Sequence, residues 1–213
     1  MALNLQRVYF PNEEPSIDEA LFLPIFSKAT SCKCISGYFT SGVVSELARS
    51  LAYFLSNPHT SIQFLISPNI SETDHQALRE GISTDKNLLP LLFPNFRADE
   101  DTLRSRAVEA LSILVASSRL QFKIATMDSS RGMVHAKIWL FECGEERVSV
   151  TGSSNATEPG LRDNFEQLRV DQEPIDTETT IYNTFNQRFD SIWSSTYPSI
   201  RTFPLNERTL TVT

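Results

Sequence analysis

Short apolar runs alternate along the chain with stretches in which apolar residues recur at helical spacing. The runs at 33–39 (KCISGYF) and 61–67 (SIQFLIS) predict strands, the second of them buried. Residues 41–56 carry an apolar residue every three or four positions behind Ser41, which predicts a capped helix. The sequence SETD at 71–74 has the capping-box pattern that opens a second helix. Strand followed by helix is therefore the repeating unit of the first half.

The second half of the chain is richer in strands. A proline-containing stretch at 86–97 predicts a surface loop, and a helix is predicted over 100–117. A last helix spans 176–194. Four strands are predicted between these two helices, at 119–125, 133–142, 147–151 and 165–171. The whole pattern predicts one α/β domain over residues 1–213, with a mixed β-sheet flanked by helices.

Composition is consistent with a soluble intracellular protein. The chain has 213 residues, of which 40% are hydrophobic and 21% charged, as expected for a globular domain. No apolar run approaches the roughly 20 residues that a membrane-spanning helix requires, and the first residues lack the order of a signal peptide. The three cysteines, Cys32, Cys34 and Cys143, do not suggest a disulfide framework. We therefore expect a cytoplasmic protein without a membrane partner.

Net charge limits the surface that a polyanion could use. A formal charge of -7 argues against general binding to nucleic acid, so any such contact has to be local. The segment 101–137 has a positive excess, in which Lys123 and Arg131 are candidate substrate-binding residues. The same charges are equally consistent with an ordinary solvated helix face. The basic residues of this segment are Arg104, Arg106, Arg119, Lys123, Arg131 and Lys137.

Candidate chemistry is concentrated between residues 133 and 166. Because side chains alternate along a strand, the predicted strand 133–142 places His135 and Lys137 on one face. The next strand runs into the turn Gly152-Ser153-Ser154-Asn155, where backbone N–H groups and hydroxyls can hold an anion. A lone histidine on a strand is more often structural than catalytic, but this order lets several polar groups converge on one phosphate.

The order of these residues resembles the signature of the phospholipase D superfamily. That signature is His-x-Lys, a Gly-Ser-x-Asn turn and an Asn-x-Glu on the next strand. This chain has His135-Ala136-Lys137, Gly152-Ser153-Ser154-Asn155 and Asn164-Phe165-Glu166. The aspartate that the superfamily carries five residues after the lysine is Glu142 here, and we assign it no catalytic role.

A single copy of the motif resembles one branch in particular, the metal-independent nucleases of the BfiI restriction-endonuclease type. The segment 36–55, SGYFTSGVVSELARSLAYFL, is also similar to the opening strand and helix of that branch. The resemblance implies that His135 attacks phosphorus and forms a phosphohistidine. A second imidazole must then act as acid and base. One motif supplies one histidine, so we expect a C2 homodimer with both copies of His135 at a shared site.

The resemblance also implies roles for the other motif residues. Lys137, Ser153 and Asn155 would bind the non-bridging oxygens, and Glu166 would accept a hydrogen bond from the ring of His135. Ser154 and Asn164 are further candidates for substrate binding, and Asn164 could equally be a turn residue.

Metal ions and cofactors are not expected. The acidic residues near the motif fit no ligand spacing, and Cys32-x-Cys34 lacks further ligands for zinc. The other two histidines, His59 and His75, are predicted to lie at the surface.

Nucleic acid is the expected substrate, with DNA preferred over RNA. A chain of this size leaves little room for reading a DNA sequence. We therefore expect either a nuclease of relaxed specificity or the nuclease component of a restriction or defence system with a helicase or recognition partner. Two alternatives remain open: a phospholipid-type phosphodiesterase, and a catalytically silent dimeric module that binds nucleic acid or acts as a scaffold.

Overall fold

The structure is a computed structural model that describes residues 3–88, 91, 96–129, 132–174 and 180–205. Its strands are β1 (Val8–Tyr9), β2 (Ser31–Ser36), β3 (Ile62–Ile66), β4 (Leu120–Met127), β5 (Ile138–Cys143), β6 (Glu146–Gly152), β7 (Leu168–Pro174) and β8 (Ile200–Pro204). Its α-helices are α1 (Leu23–Phe26), α2 (Gly42–Glu46), α3 (Ala48–Leu55), α4 (Glu72–Ser83), α5 (Glu100–Ser105), α6 (Ala107–Ala116), α7 (Glu158–Leu161) and α8 (Ile181–Trp193). A π-helical turn over Asp18–Phe22 precedes α1, and a 3-10 turn covers Lys86–Leu88.

All of these strands belong to one mixed sheet in the order β1-β7-β6-β5-β2-β3-β4-β8. Strands β2, β3 and β4 run parallel, and the other neighbours pair antiparallel. Antiparallel pairing brings the end of β2, the start of β5, the end of β6 and the start of β7 to the same end of the strands. Both polar motifs therefore meet at that end of the sheet.

Helices cover both faces of the sheet. The larger core lies between the sheet and the helices α1 to α7. At its centre four aromatic rings from the π-helical turn, α1 and β5 pack stacked or edge-on: Phe22, Phe26, Trp139 and Phe141. A smaller core packs α8 on the opposite face, with Tyr182 and Phe189 against Ile35 and Leu140. The predicted fold class, a mixed sheet flanked by helices, is confirmed.

Several predicted helix boundaries need correction. The helix predicted over 41–56 is interrupted at Leu47, and the one predicted over 100–117 is interrupted at Arg106. The side chain of Ser41 makes no cap hydrogen bond. Its backbone N–H donates to Asp74 Oδ1 at 2.9 Å. Ser71 does cap α4, with its Oγ accepting from the N–H of Asp74 at 3.1 Å.

Strand boundaries near the motifs also differ from prediction. β5 begins at Ile138 instead of 133, and β7 begins at Leu168 instead of 165, so residues 133–137 and 164–167 are connecting segments. The short strand β1, the helical turns over 18–26 and the edge strand β8 had no clear sequence signal. Residues 89–90 and 92–95 of the predicted loop, and 176–179 of the predicted last helix, lie outside the described residues.

Within the described part of the chain, every helix is too short or too polar to cross a membrane. The three cysteines are buried and unpaired, and burial raises the pKa of the Cys32 and Cys34 thiols well above the usual range.

Phe26 provides a test of the larger core. Its ring is 1% exposed and contacts the rings of Phe22, Phe54 and Phe141. We expect Phe26→Ala to lower the free energy of unfolding by about 3 to 5 kcal/mol, because it removes buried surface and leaves a cavity. Urea unfolding measures this, with Tyr53→Ala as the control, since Tyr53 is 57% exposed and should change stability by less than about 0.5 kcal/mol. Equal losses in the two variants would contradict this packing.

Candidate active site

His135 and Lys137 lie in the segment that enters β5. The Nζ of Lys137 is 2.8 Å from Nδ1 of His135 and 2.8 Å from the carbonyl oxygen of the same residue. His135 is exposed, whereas Lys137 is only 9% exposed. Burial lowers the pKa of the Lys137 ammonium, and the nearby charge of Glu166 opposes that shift. The buried ammonium of Lys137 therefore contacts the accessible imidazole of His135.

The Gly152-Ser153-Ser154-Asn155 turn begins beside this pair. The N–H of Gly152 donates to the carbonyl of Lys137 at 3.4 Å. A Cβ at position 152 would lie 1.9 Å from the carbonyl oxygen of Gln167, so only glycine permits this close approach. The N–H of Ser153 donates to the Gln167 carbonyl and its Oγ accepts from the Gln167 N–H, each at 3.2 Å. Within the described residues the Ser153 hydroxyl donates no hydrogen bond, so its hydrogen can bind an anion.

Asn155 is fixed by the chain that follows β2. Its Oδ1 accepts from the N–H of Tyr38 at 3.2 Å, and its Nδ2 contacts no other described residue within hydrogen-bond distance. The N–H of Ala156 donates to Oγ of Ser36 at 2.9 Å, which ties the turn to the end of β2. The hydrogen bond to Oδ1 therefore orients the side chain of Asn155, and its Nδ2 can donate to a ligand.

Ser154 does not fit its predicted role as a substrate-binding residue. Its side chain is buried, and its Oγ donates to the carbonyl of Gly160 at 2.6 Å. Successive side chains of the turn point to opposite sides, so Ser153 is exposed and Ser154 is buried. Ser154 holds the turn against α7.

One wall of the site was missed by sequence reasoning. Gly37 is buried against His135, and the ring of Tyr38 meets the His135 ring edge-on with centroids 5.8 Å apart. A Cβ at Gly37 would lie 2.6 Å from Cδ2 of the imidazole. The sequence did offer one indication of this wall. The segment SGYF at 36–39 lies at the carboxyl end of a predicted strand, and ligands usually bind at the carboxyl ends of parallel strands.

Glu166 and Asn164 lie beside the site but are not arranged as predicted. Glu166 is half-buried, and its Oε1 accepts from Nδ2 of Asn164 at 3.3 Å. Among the described residues Glu166 makes no hydrogen bond to His135, and Nδ1 of that ring faces the Lys137 ammonium. The electrostatic influence of Glu166 on Lys137 shows that the carboxylate is near the pair.

The structure does not bring Lys123 to this cluster. Its Nζ donates to the Trp193 carbonyl at 2.7 Å and lies over the Trp193 ring, on the face covered by α8. Arg131, the other predicted basic contact, lies outside the described residues.

Three more of the basic residues between 101 and 137 are engaged elsewhere. Arg104 pairs with Glu100 and Arg106 with Glu109, while Arg119 donates to main-chain carbonyls around residue 57. Of the two interpretations of the positive excess, these contacts favour ordinary helix charges.

No cluster of three or more histidine, cysteine, aspartate or glutamate residues suited to a metal occurs in the described ranges. His59 is exposed as predicted. His75 is not simply a surface residue, because its Nε2 is buried and has no hydrogen-bond partner within the described residues.

The chain belongs to a family of phospholipase D-like domains. Residues 26–193 match the family model described as "Cardiolipin synthase, PLD-like domain". No curated protein matches the sequence.

Solved structures with this fold include proteins of different activity. Nuc from Salmonella typhimurium, a phospholipase D family member, aligns over 93% of this chain and 97% of its own with a TM-score of 0.52 and 17% identity. Polyphosphate kinase from Porphyromonas gingivalis aligns over 99% of this chain and 25% of its own (TM-score 0.52, 9% identity). A mutant of yeast tyrosyl-DNA phosphodiesterase aligns over 95% and 41% (TM-score 0.50, 10% identity). At these identities the likeness shows the shared fold, and the substrate has to be argued from the site.

Gly37 and His135 should be energetically coupled. We expect Gly37→Ala to lower the free energy of unfolding by about 1 to 3 kcal/mol, because the new methyl group collides with the imidazole. In a His135→Ala background the same change should cost less, giving a coupling of about 1 kcal/mol or more. Urea unfolding of the four proteins of this cycle measures it. Additive effects would contradict the observed contact.

Lys137 should make stability depend on pH at high pH. Its folded-state pKa is depressed, so burying the ammonium costs stability at neutral pH, and the cost disappears as pH rises toward the usual lysine value of 10.5. We expect Lys137→Met to be at least as stable as the wild type at pH 7 and to lose any advantage by pH 10.5. Urea unfolding at both pH values tests this, with Lys137→Arg as the variant that keeps the charge. Marked destabilisation of Lys137→Met at pH 7 would show that its hydrogen bonds outweigh the burial cost.

Proposed function

We propose that this protein hydrolyses phosphodiester bonds of nucleic acid, DNA in preference to RNA, through a phosphohistidine on His135. The observation that carries the proposal is the convergence of an accessible imidazole, a buried ammonium and the donors of Ser153 and Asn155 at one end of the sheet. Glu166 supplies the nearby carboxylate. The proposal places the chain in the single-motif, metal-independent nuclease branch of its family.

The first step is attack on phosphorus by the ring nitrogen of His135 that faces away from Lys137. That nitrogen, Nε2, needs a lone pair, so the proton of the neutral ring must sit on Nδ1. In the free chain the Lys137 ammonium lies at Nδ1 and disfavours that tautomer. An arriving phosphodiester offers its own oxygens to Lys137, which releases Nδ1. Glu166 then accepts a hydrogen bond from the Nδ1–H group. The proton stays on the ring, and the carboxylate stabilises the positive charge that the ring gains as the bond to phosphorus forms.

Three hydrogen-bond donors stabilise the negative charge of the transition state. In the five-coordinate transition state the non-bridging oxygens gain negative charge, and Lys137, Ser153 and Nδ2 of Asn155 bind them. Donors fixed in advance are effective because they need not reorganise during the reaction, and removing one typically costs about 10²- to 10³-fold in rate. The low exposure of Lys137 strengthens its effect on a bound phosphate.

A second imidazole completes the reaction. The leaving alkoxide must take a proton as the P–O bond breaks, and the water that later attacks the phosphohistidine must lose one. His59 is exposed at the end of α3, and β2 and β3 run parallel from that end of the sheet toward the site at the other. Nε2 of His75 is buried. We therefore assign the second imidazole to His135 of another copy, in a C2 homodimer with one shared site.

Substrate and partner follow from charge and size. The acidic chain provides little non-specific affinity for nucleic acid, so a helicase or recognition subunit of a restriction or defence system would deliver the substrate. The alternatives are a phospholipid-type substrate and a silent dimeric binding module, and each predicts a different result below.

The test is cleavage of single- and double-stranded DNA in excess EDTA, with wild type beside His135→Ala. We expect wild-type protein to cleave and the variant to lose activity by about 10⁴-fold or more, because the covalent step is removed. Light scattering on the same samples should give a dimer for both proteins. Quenching in alkaline detergent should trap a wild-type chain covalently linked to one fragment of the DNA, because the P–N bond of the intermediate is stable in alkali and hydrolyses in acid.

Other outcomes identify the error. Activity that appears only with added metal contradicts the histidine mechanism. An inactive but well-folded dimer that binds DNA supports the silent module. Hydrolysis of phospholipid without cleavage of DNA or RNA supports the lipid alternative.

A further inference from the structure

Phe165 is the most exposed large apolar side chain near the site. It is 81% exposed, yet one face of its ring stacks on Phe10 with centroids 5.7 Å apart and planes 22° from parallel. Phe10 directly follows β1, whose Tyr9 pairs with Leu168 at the start of β7. The ring is thus supported on one side and open on the other, which costs stability in water and contributes little to the core.

The open ring stands next to the proposed chemistry. Phe165 directly precedes Glu166, and Gln167 exchanges two hydrogen bonds with Ser153. Across the site, Tyr38 is 40% exposed and touches the ring of His135. In the sheet order, β7 and β2 are three interstrand spacings apart, about 14 Å, with His135 and the Gly-Ser-x-Asn turn between them. Two accessible aromatic rings therefore flank the proposed position of the phosphate.

Apart from Lys137, the basic residues that the structure describes between 101 and 137 give this site little hold on a strand. The chain carries a net charge of -7, and Arg104, Arg106 and Arg119 are paired or bound to carbonyls. Aromatic stacking is the sequence-tolerant contact that remains, because every base has a π-face. Base faces are available in single strands and hidden in a duplex.

We propose that Phe165, supported by Phe10, stacks on an unpaired nucleobase beside the scissile phosphate and makes the site selective for single-stranded nucleic acid. This inference rests on the proposed function and adds the strand preference and a specificity-determining residue. Phe10 fixes the orientation of the ring, so little side-chain entropy is lost on binding.

The test compares two strands of equal length and charge in a His135→Ala background that cannot cleave. One is a fluorescein-labelled oligodeoxynucleotide, and the other has abasic sites at every position. Fluorescence anisotropy should show tighter binding of the base-containing strand, and Phe165→Ala should lower that preference by roughly 5- to 150-fold, the range for one stacked base. Phe165→Trp should retain it. Tyr53→Ala, which removes another exposed ring on α3, should leave it unchanged.

Three results would overturn the inference, and they differ from one another. An unchanged base preference in Phe165→Ala would show that the ring does not stack on substrate. Conversion of the Phe165→Ala dimer to monomer, seen by light scattering, would place the ring between two copies of the chain. Failure of the parent protein to bind either strand would remove the proposed nucleic-acid function together with the inference.

Discussion

The close approach of β6 to the segment before β7 is the constraint on which the candidate site depends. Gly152 lies so near the Gln167 carbonyl that any side chain at this position would force the two segments apart. The two hydrogen bonds between Ser153 and Gln167 follow from the same approach. Separation of these segments would move Ser153 and Asn155 away from Glu166 and from Phe165. One backbone contact therefore sets the distance between the anion-holding turn and the carboxylate.

The second determinant is the local charge balance around Lys137. Its ammonium is buried at a cost, as the lowered pKa shows, and it is held by Nδ1 and the carbonyl of His135. A buried cation of this kind is poorly neutralised by the protein and is ready to bind an anion. A site can therefore attract phosphate locally in a chain whose overall charge is negative. The free chain places this cation against the imidazole, and substrate binding would separate the two.

Sequence reasoning succeeded where a pattern depends on neighbouring residues. Side chains alternate between the two faces along β5, with Phe141 in the larger core and Leu140 in the smaller one. Ser71 caps α4 through a residue three positions away. Sequence reasoning failed where contacts between distant residues determine the local structure. The predicted helix over 41–56 breaks at Leu47 although its apolar spacing is continuous. Ser154 has the same hydroxyl group as Ser153, yet its Oγ donates to the carbonyl of Gly160.

The sequence by itself determined the fold class and the set of polar residues near the site, because hydrophobic spacing and the order of short motifs are local properties. Only the tertiary structure decided which of those residues meet. Lys123 lies under α8, and Tyr38 and Gly37 were brought beside His135 from a strand about 100 positions away in sequence. Strand order in the sheet places such residues together, and strand order depends on packing among distant segments that no local pattern encodes.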